Sequence, residues 1–127
     1  MPAMRSLAVA FAIVLVLAAS AVHTRAEITE RAVVRAFLTL MAGEAGDRVS
    51  AVELIEARWE PSFLAMALEV IRLTRSTEAS GALVGIMESE TGAGHGHDLD
   101  AWQREMWNAP EARHPRYGAF KSALYSL

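Results

Sequence analysis

The densest set of side chains able to do chemistry is the run His95-Gly96-His97-Asp98-Leu99-Asp100, with His114 further along. Two imidazoles and two carboxylates in a flexible turn are ligand types that zinc or another divalent cation accepts. A stable site also needs a further ligand at characteristic spacing and outer partners that orient the rings, and the sequence shows neither. The plainer reading has Asp98 capping a helix, the glycines making the turn and both histidines facing water. No catalytic, cofactor-binding or metal residue is therefore assigned. The His95/His97/Asp98 cluster supports only an alternative function, that of a small metal-dependent binding protein or hydrolase.

Other chemistries fare worse. There is no cysteine, no Gly-x-Ser-x-Gly elbow, no phosphate loop and no dinucleotide fingerprint. Glu88 and Glu90 fall on opposite sides of a helix and do not share a substrate. Trp59, Trp102 and Trp107 with Tyr117 and Tyr125 could line a groove for a sugar or peptide, but at helical spacing such rings more often pack between helices. Trp107 lies off the stripe of Trp102 and Met106, so it is the ring expected at the surface.

The elements that carry these residues read as helices. Residues 27 to 42 place Val33, Val34, Phe37, Leu38 and Met41 on one face, and Gly43 ends the segment. Asp47 is expected to cap a short helix from Arg48 to about Arg58 that buries Val52, Leu54 and Ile55. Pro61 opens the next, to about Thr74, burying Leu64, Ala67, Leu68 and Ile71. Ser76 or Thr77 caps a segment through Glu90 with Leu83, Val84 and Met87 inward, stopped by Thr91-Gly92-Ala93-Gly94. Asp98 starts a helix carrying Leu99, Trp102 and Met106, ended by Asn108-Ala109-Pro110. Pro115 opens the last, with Tyr117, Phe120, Leu124 and Leu127 in a stripe. No segment alternates apolar and polar residues as a strand does, and no hairpin signal appears. The expected fold is all-α: short antiparallel helix pairs, HEAT-like or an irregular bundle. Leu124 and Leu127, at the frayed end of a stripe without a capping glycine, are expected to be poorly covered, as in a chain cut inside a longer protein.

Residues 1 to 26 have a different character. Arg5 precedes an uncharged run from Leu7, and small residues at Ala19 and Ala21, or at Thr24 and Ala26, suit signal-peptidase cleavage. From Leu7 to Val22 the run has 16 residues, short of the roughly 20 that a spanning helix needs. A cleaved secretory signal is expected, with 27–127 as the exported helical domain, periplasmic or extracellular. Only an uncleaved signal would tie it to a membrane. Removing 1–26 takes away Arg5 and Arg25 but no acid, leaving 10 basic against 15 acidic side chains and a net charge of −5. Such a balance has no electrostatic footprint for nucleic acid.

Three stretches also resemble a known family: Leu68-Glu69-Val70-Ile71-Arg72-Leu73-Thr74-Arg75; Thr91-Gly92 through Gly96-His97-Asp98-Leu99-Asp100-Ala101-Trp102 to Trp107-Asn108; and His114-Pro115-Arg116-Tyr117-Gly118-Ala119-Phe120-Lys121 with Leu124-Tyr125. Together, over roughly Val49 to Leu127, they resemble the N-terminal helical region of exported bacterial proteins of domain-of-unknown-function family 3179. The Thr-Gly, Asp and Trp of the middle stretch also resemble a degenerate HEAT repeat. The resemblance implies a helical scaffold whose main C-terminal domain is missing here, and it assigns no residue a chemical role. The expected function is an exported interaction or scaffolding module without its own catalysis, needing no cofactor, whose partner is another protein or that missing domain. Amino-terminal sequencing of the mature protein is expected to begin at Val22 or Glu27; an intact Met1 on membrane-extracted protein would show an anchor instead.

Overall fold

A computed structural model describes residues 30–127; the expected secretory signal and the first residues of the expected opening helix lie outside that range. Helix α1 spans 30–42, followed by α2 (Ala45–Ala57), a 3-10 turn (Pro61–Phe63), α3 (Leu64–Leu73), α4 (Thr77–Thr91), α5 (Leu99–Trp107), a second 3-10 turn (Pro110–Ala112) and α6 (Tyr117–Leu124). The described residues form an all-α fold, helices joined by short turns and loops without strands. Val33–Leu127 forms a compact unit, and no helix among the described residues is long and apolar enough to cross a membrane.

The core is organised around α3. Every residue from Leu64 to Ile71 is buried, because the segment reads Leu-Ala-Met-Ala-Leu-Glu-Val-Ile and a helix apolar on all sides is stable only when surrounded. Helices α4, α5 and α6 each pack against it, while α2 packs on α4. The one-sided stripe read from the sequence is thus too narrow for this helix. An aromatic cluster closes one end: Phe37 of α1 meets Phe63 at 5.8 Å and Phe120 of α6 at 6.1 Å between ring centroids, distances at which tilted and edge-on rings attract.

Start and stop signals act largely as their chemistry demands. The Ser76 hydroxyl accepts from Ala79 N at 3.1 Å, the Asp98 carboxylate accepts from Ala101 N at 3.1 Å, and Gly92 ends α4 at φ 76°, a left-handed position that glycine occupies without a steric penalty. Two corrections concern the first two helices. Helix α2 begins at Ala45 with Glu44 at the cap position and no side-chain cap bond; Asp47 lies in its first turn, where a negative charge complements the helix dipole. The turn between α1 and α2 is instead held by Arg48, whose Nη1 donates to the Gly43 carbonyl at 2.7 Å. A Cβ on Gly43 would sit 2.7 Å from the Thr39 oxygen, so the chain turns there only without a side chain. On α1 and α2 the alanines Ala36 and Ala51 take core places, whereas Val34, Leu38, Met41, Val52 and Leu54 are half-buried. Small residues let helices approach closely, a possibility that counting large apolar residues overlooks.

Trp102 is wholly buried, and its indole Nε1 donates to the Gly96 carbonyl at 2.8 Å. Its side chain therefore both fills the core beside α3 and ties down the loop before α5. Trp102→Ala is expected to cost about 3–5 kcal/mol, a large share of the roughly 5–15 kcal/mol available to a domain of this size. Urea denaturation of the two proteins would measure it, and a loss below about 1 kcal/mol would contradict the placement.

Candidate functional site

The residues singled out for metal chemistry are dispersed by the fold. Asp98 is occupied as the N-cap of α5, and His97 and Asp100 are exposed. His95 turns the edge of its ring onto Trp102, with centroids 4.8 Å apart, and its Nε2 lies 3.1 Å from Glu105 Oε2. That oxygen is buried and makes no well-aligned hydrogen bond, so the pair rests on proximity. His114 is buried and stacked on Phe63 at 5.4 Å with 20° between planes, its Nδ1 accepting from Arg116 N at 3.1 Å. Among the described residues no three His, Asp or Glu side chains converge as metal ligands.

The structure gathers a different set. Glu69, on α3, is only 6% exposed, and a carboxylate in such a place is costly unless its oxygens are engaged. Tyr117 donates its hydroxyl to Oε1 at 2.8 Å, and Tyr125 donates to Oε2 at 3.2 Å. Lys121 Nζ stands 3.6 Å from Oε1 and about 6 Å from the centroids of both tyrosine rings, near the outer limit of cation–π attraction. Residues 117, 121 and 125 are spaced i, i+4, i+8, so one polar stripe of α6, continued into its C-cap Tyr125, delivers all three groups to one carboxylate. The neighbouring stripe, Phe120 and Leu124, enters the core. Leu124 is thus well covered, contrary to expectation, while Leu127 is exposed.

Above Glu69 opens a cleft of about 320 Å³ whose walls include Arg72, Gln103, Trp107, Arg113, Tyr117 and Lys121. Arg72 Nη2 donates to Gln103 Oε1 at 2.8 Å, holding that guanidinium at the wall. A second hollow of about 320 Å³ shares Met106, Trp107 and Arg113 with the first and adds Ala109 and Pro110. Trp107 stands 68% exposed between them, as its position off the helix stripe implies. The arrangement offers cations, an apolar ledge and an aromatic face to whatever enters it. Nothing here is positioned as a nucleophile with its base.

No protein-family model, curated protein or solved structure matches the chain.

Glu69 is barely announced by the sequence. Its signal is the single acid in an otherwise apolar run, combined with the Tyr117/Lys121/Tyr125 spacing; each alone reads as an ordinary solvated helix face. Burial pushes the Tyr117 hydroxyl up from its ordinary 10.0 to about 12, helped by its bond to Glu69 and the carboxylate's charge and opposed by Arg113 and Arg72. Because the folded-state value is the higher one, the stabilisation is fully present below pH 10 and is lost as pH rises through about 12. Tyr117→Phe is expected to cost about 1–2 kcal/mol at neutral pH, the lower part of the range for bonds to charged groups, since the ring is partly solvated. The same variant should flatten the alkaline fall in stability. An unchanged alkaline profile in thermal melts would show that the hydroxyl is not coupled to folding.

Proposed function

We propose that the chain is an exported helical interaction or scaffolding module, HEAT-like in its helix pairing, with no catalytic activity of its own. The observation that carries this is the exposed Trp107, set between two hollows beside Arg113. Tryptophan and arginine are the side chains most enriched where binding energy concentrates, and a solvated indole on so small a domain is a ready anchor for a partner. The net acidic mature chain argues against nucleic acid as that partner. The resemblance read in residues 68–75, 91–108, 114–121 and 124–125 to the helical region of family 3179, a reading from the sequence alone, is in keeping with an envelope or extracellular setting and with a partner that is either another protein or a further domain of the same one.

A photo-crosslinking residue at position 107, in the producing cell, is expected to give a discrete protein adduct in the exported fraction. The same residue in place of Val49, an exposed apolar position on α2, should not. Equal adducts at both positions, or none at 107, would remove the module reading, and a chain recovered only from the cytosol would remove export.

A further inference from the structure

Building on the recognition reading, we infer that the cleft between α3, α5 and α6 binds a peptide segment in which a carboxylate side chain stands beside an apolar one. Three cations, Arg72, Arg113 and Lys121, and one carboxylate, Glu69, line it. Two positive charges therefore remain unmatched, in a chain whose formal net charge is −3. Lys121 faces the Glu69 carboxylate and offsets its charge, while Tyr117 and Tyr125 donate to its oxygens, so the charges of Arg72 and Arg113 dominate toward an incoming anion.

The cations differ in what they have left to offer. Lys121 faces Glu69, and Arg72 is shared with Gln103. Arg113 is exposed, and it makes no hydrogen bond or ion pair to any other described residue, so its planar fork is free for bidentate contact with a carboxylate. The adjoining hollow supplies the other half of the specificity. Its walls are Met106, Trp107, Ala109 and Pro110 with the same Arg113, which suits an apolar or aromatic side chain next to the acid. Each hollow lies at the lower end of ligand-site volumes, the size of one or two side chains and not of a large cofactor. Phosphate alone would leave the Trp107 ledge unused, and an uncharged apolar peptide would leave Arg113 unpaired.

The test titrates the full chain, isotope-labelled, with acetyl-Ala-Phe-Glu-Ala-amide and with its Gln and Lys counterparts, following the Trp107 indole N–H. Weak, salt-sensitive binding is expected for the Glu peptide, in the millimolar range typical of so small a contact. Binding should fall about tenfold or more for the Gln peptide or for Arg113→Ala, be undetectable for the Lys peptide, and be unchanged in the exposed Arg75→Ala variant. Equal binding of the Glu and Gln peptides, or an unaffected Arg113→Ala, would overturn the carboxylate assignment. Inorganic phosphate competing as well as the Glu peptide would reduce the site to a general anion patch and overturn the peptide. Shifts that grow with protein concentration alone would make a second copy the occupant, through the acidic ledge of Glu56 and Glu90, and would also overturn it. If no peptide binds but position 107 still crosslinks, the module stands and its partner's chemistry is wrong; failure of both removes the two together.

Discussion

The position of α6 depends on one carboxylate held where water barely reaches it. Glu69 sits on a helix that is otherwise apolar on every side, so its charge would destabilise α3 unless something answered it. Two hydroxyls and an ammonium from a single stripe of α6 do so. Apolar packing of Phe120 and Leu124 draws α6 to the core without specifying its rotation or register, since greasy contacts are non-directional. The hydrogen bonds to Glu69 do specify it, because a slip of one residue would move all three partners off the face. The same contacts place Lys121 and the Tyr117 ring at the cleft wall, so fixing α6 also shapes the candidate site.

Without cysteines, the unit relies on packing, and it packs economically. Alanines at positions 36, 51, 65, 67 and 79 are buried, allowing short helices to approach closely, and the larger side chains are concentrated around Phe37, Phe63, Trp102 and Phe120. His114 belongs to that cluster as a flat ring stacked on Phe63, which explains why a histidine that looked like a spare ligand has no reach toward the loop at 95–98.

Helix existence and most ends were legible from the sequence, because period and capping are local properties: Ser76, Asp98 and Gly92 act as their side chains and backbone dictate. What escaped was non-local. The short 3-10 turn at Pro110–Ala112 has no periodicity to announce it, and the displacement of the α2 start from Arg48 to Ala45 reflects a turn held by Arg48 instead of a cap. The cleft was invisible for the same reason. The position of Trp107 off its helix stripe announces a surface ring, but Arg72, Arg113 and Lys121 lie on three separate segments, and only the docking of α5 and α6 on α3 brings them together. Conversely, the histidines adjacent in sequence point to different tasks once the loop is folded, one beside Trp102 and one in solvent.

The full enclosure of α3 carries a consequence for the order in which the molecule can be made. Its flank toward α6, and Glu69 within it, are answered by Tyr117, Lys121 and Tyr125, which come between 48 and 56 positions later. During synthesis the most apolar stretch of the described chain therefore emerges well before the segment that covers it. A chain ending at α5 lacks the partners of Glu69, so the centre of α3 is satisfied only once α6 is in place. Until then Leu64–Ile71 keeps an apolar flank uncovered, a surface that other chains can meet.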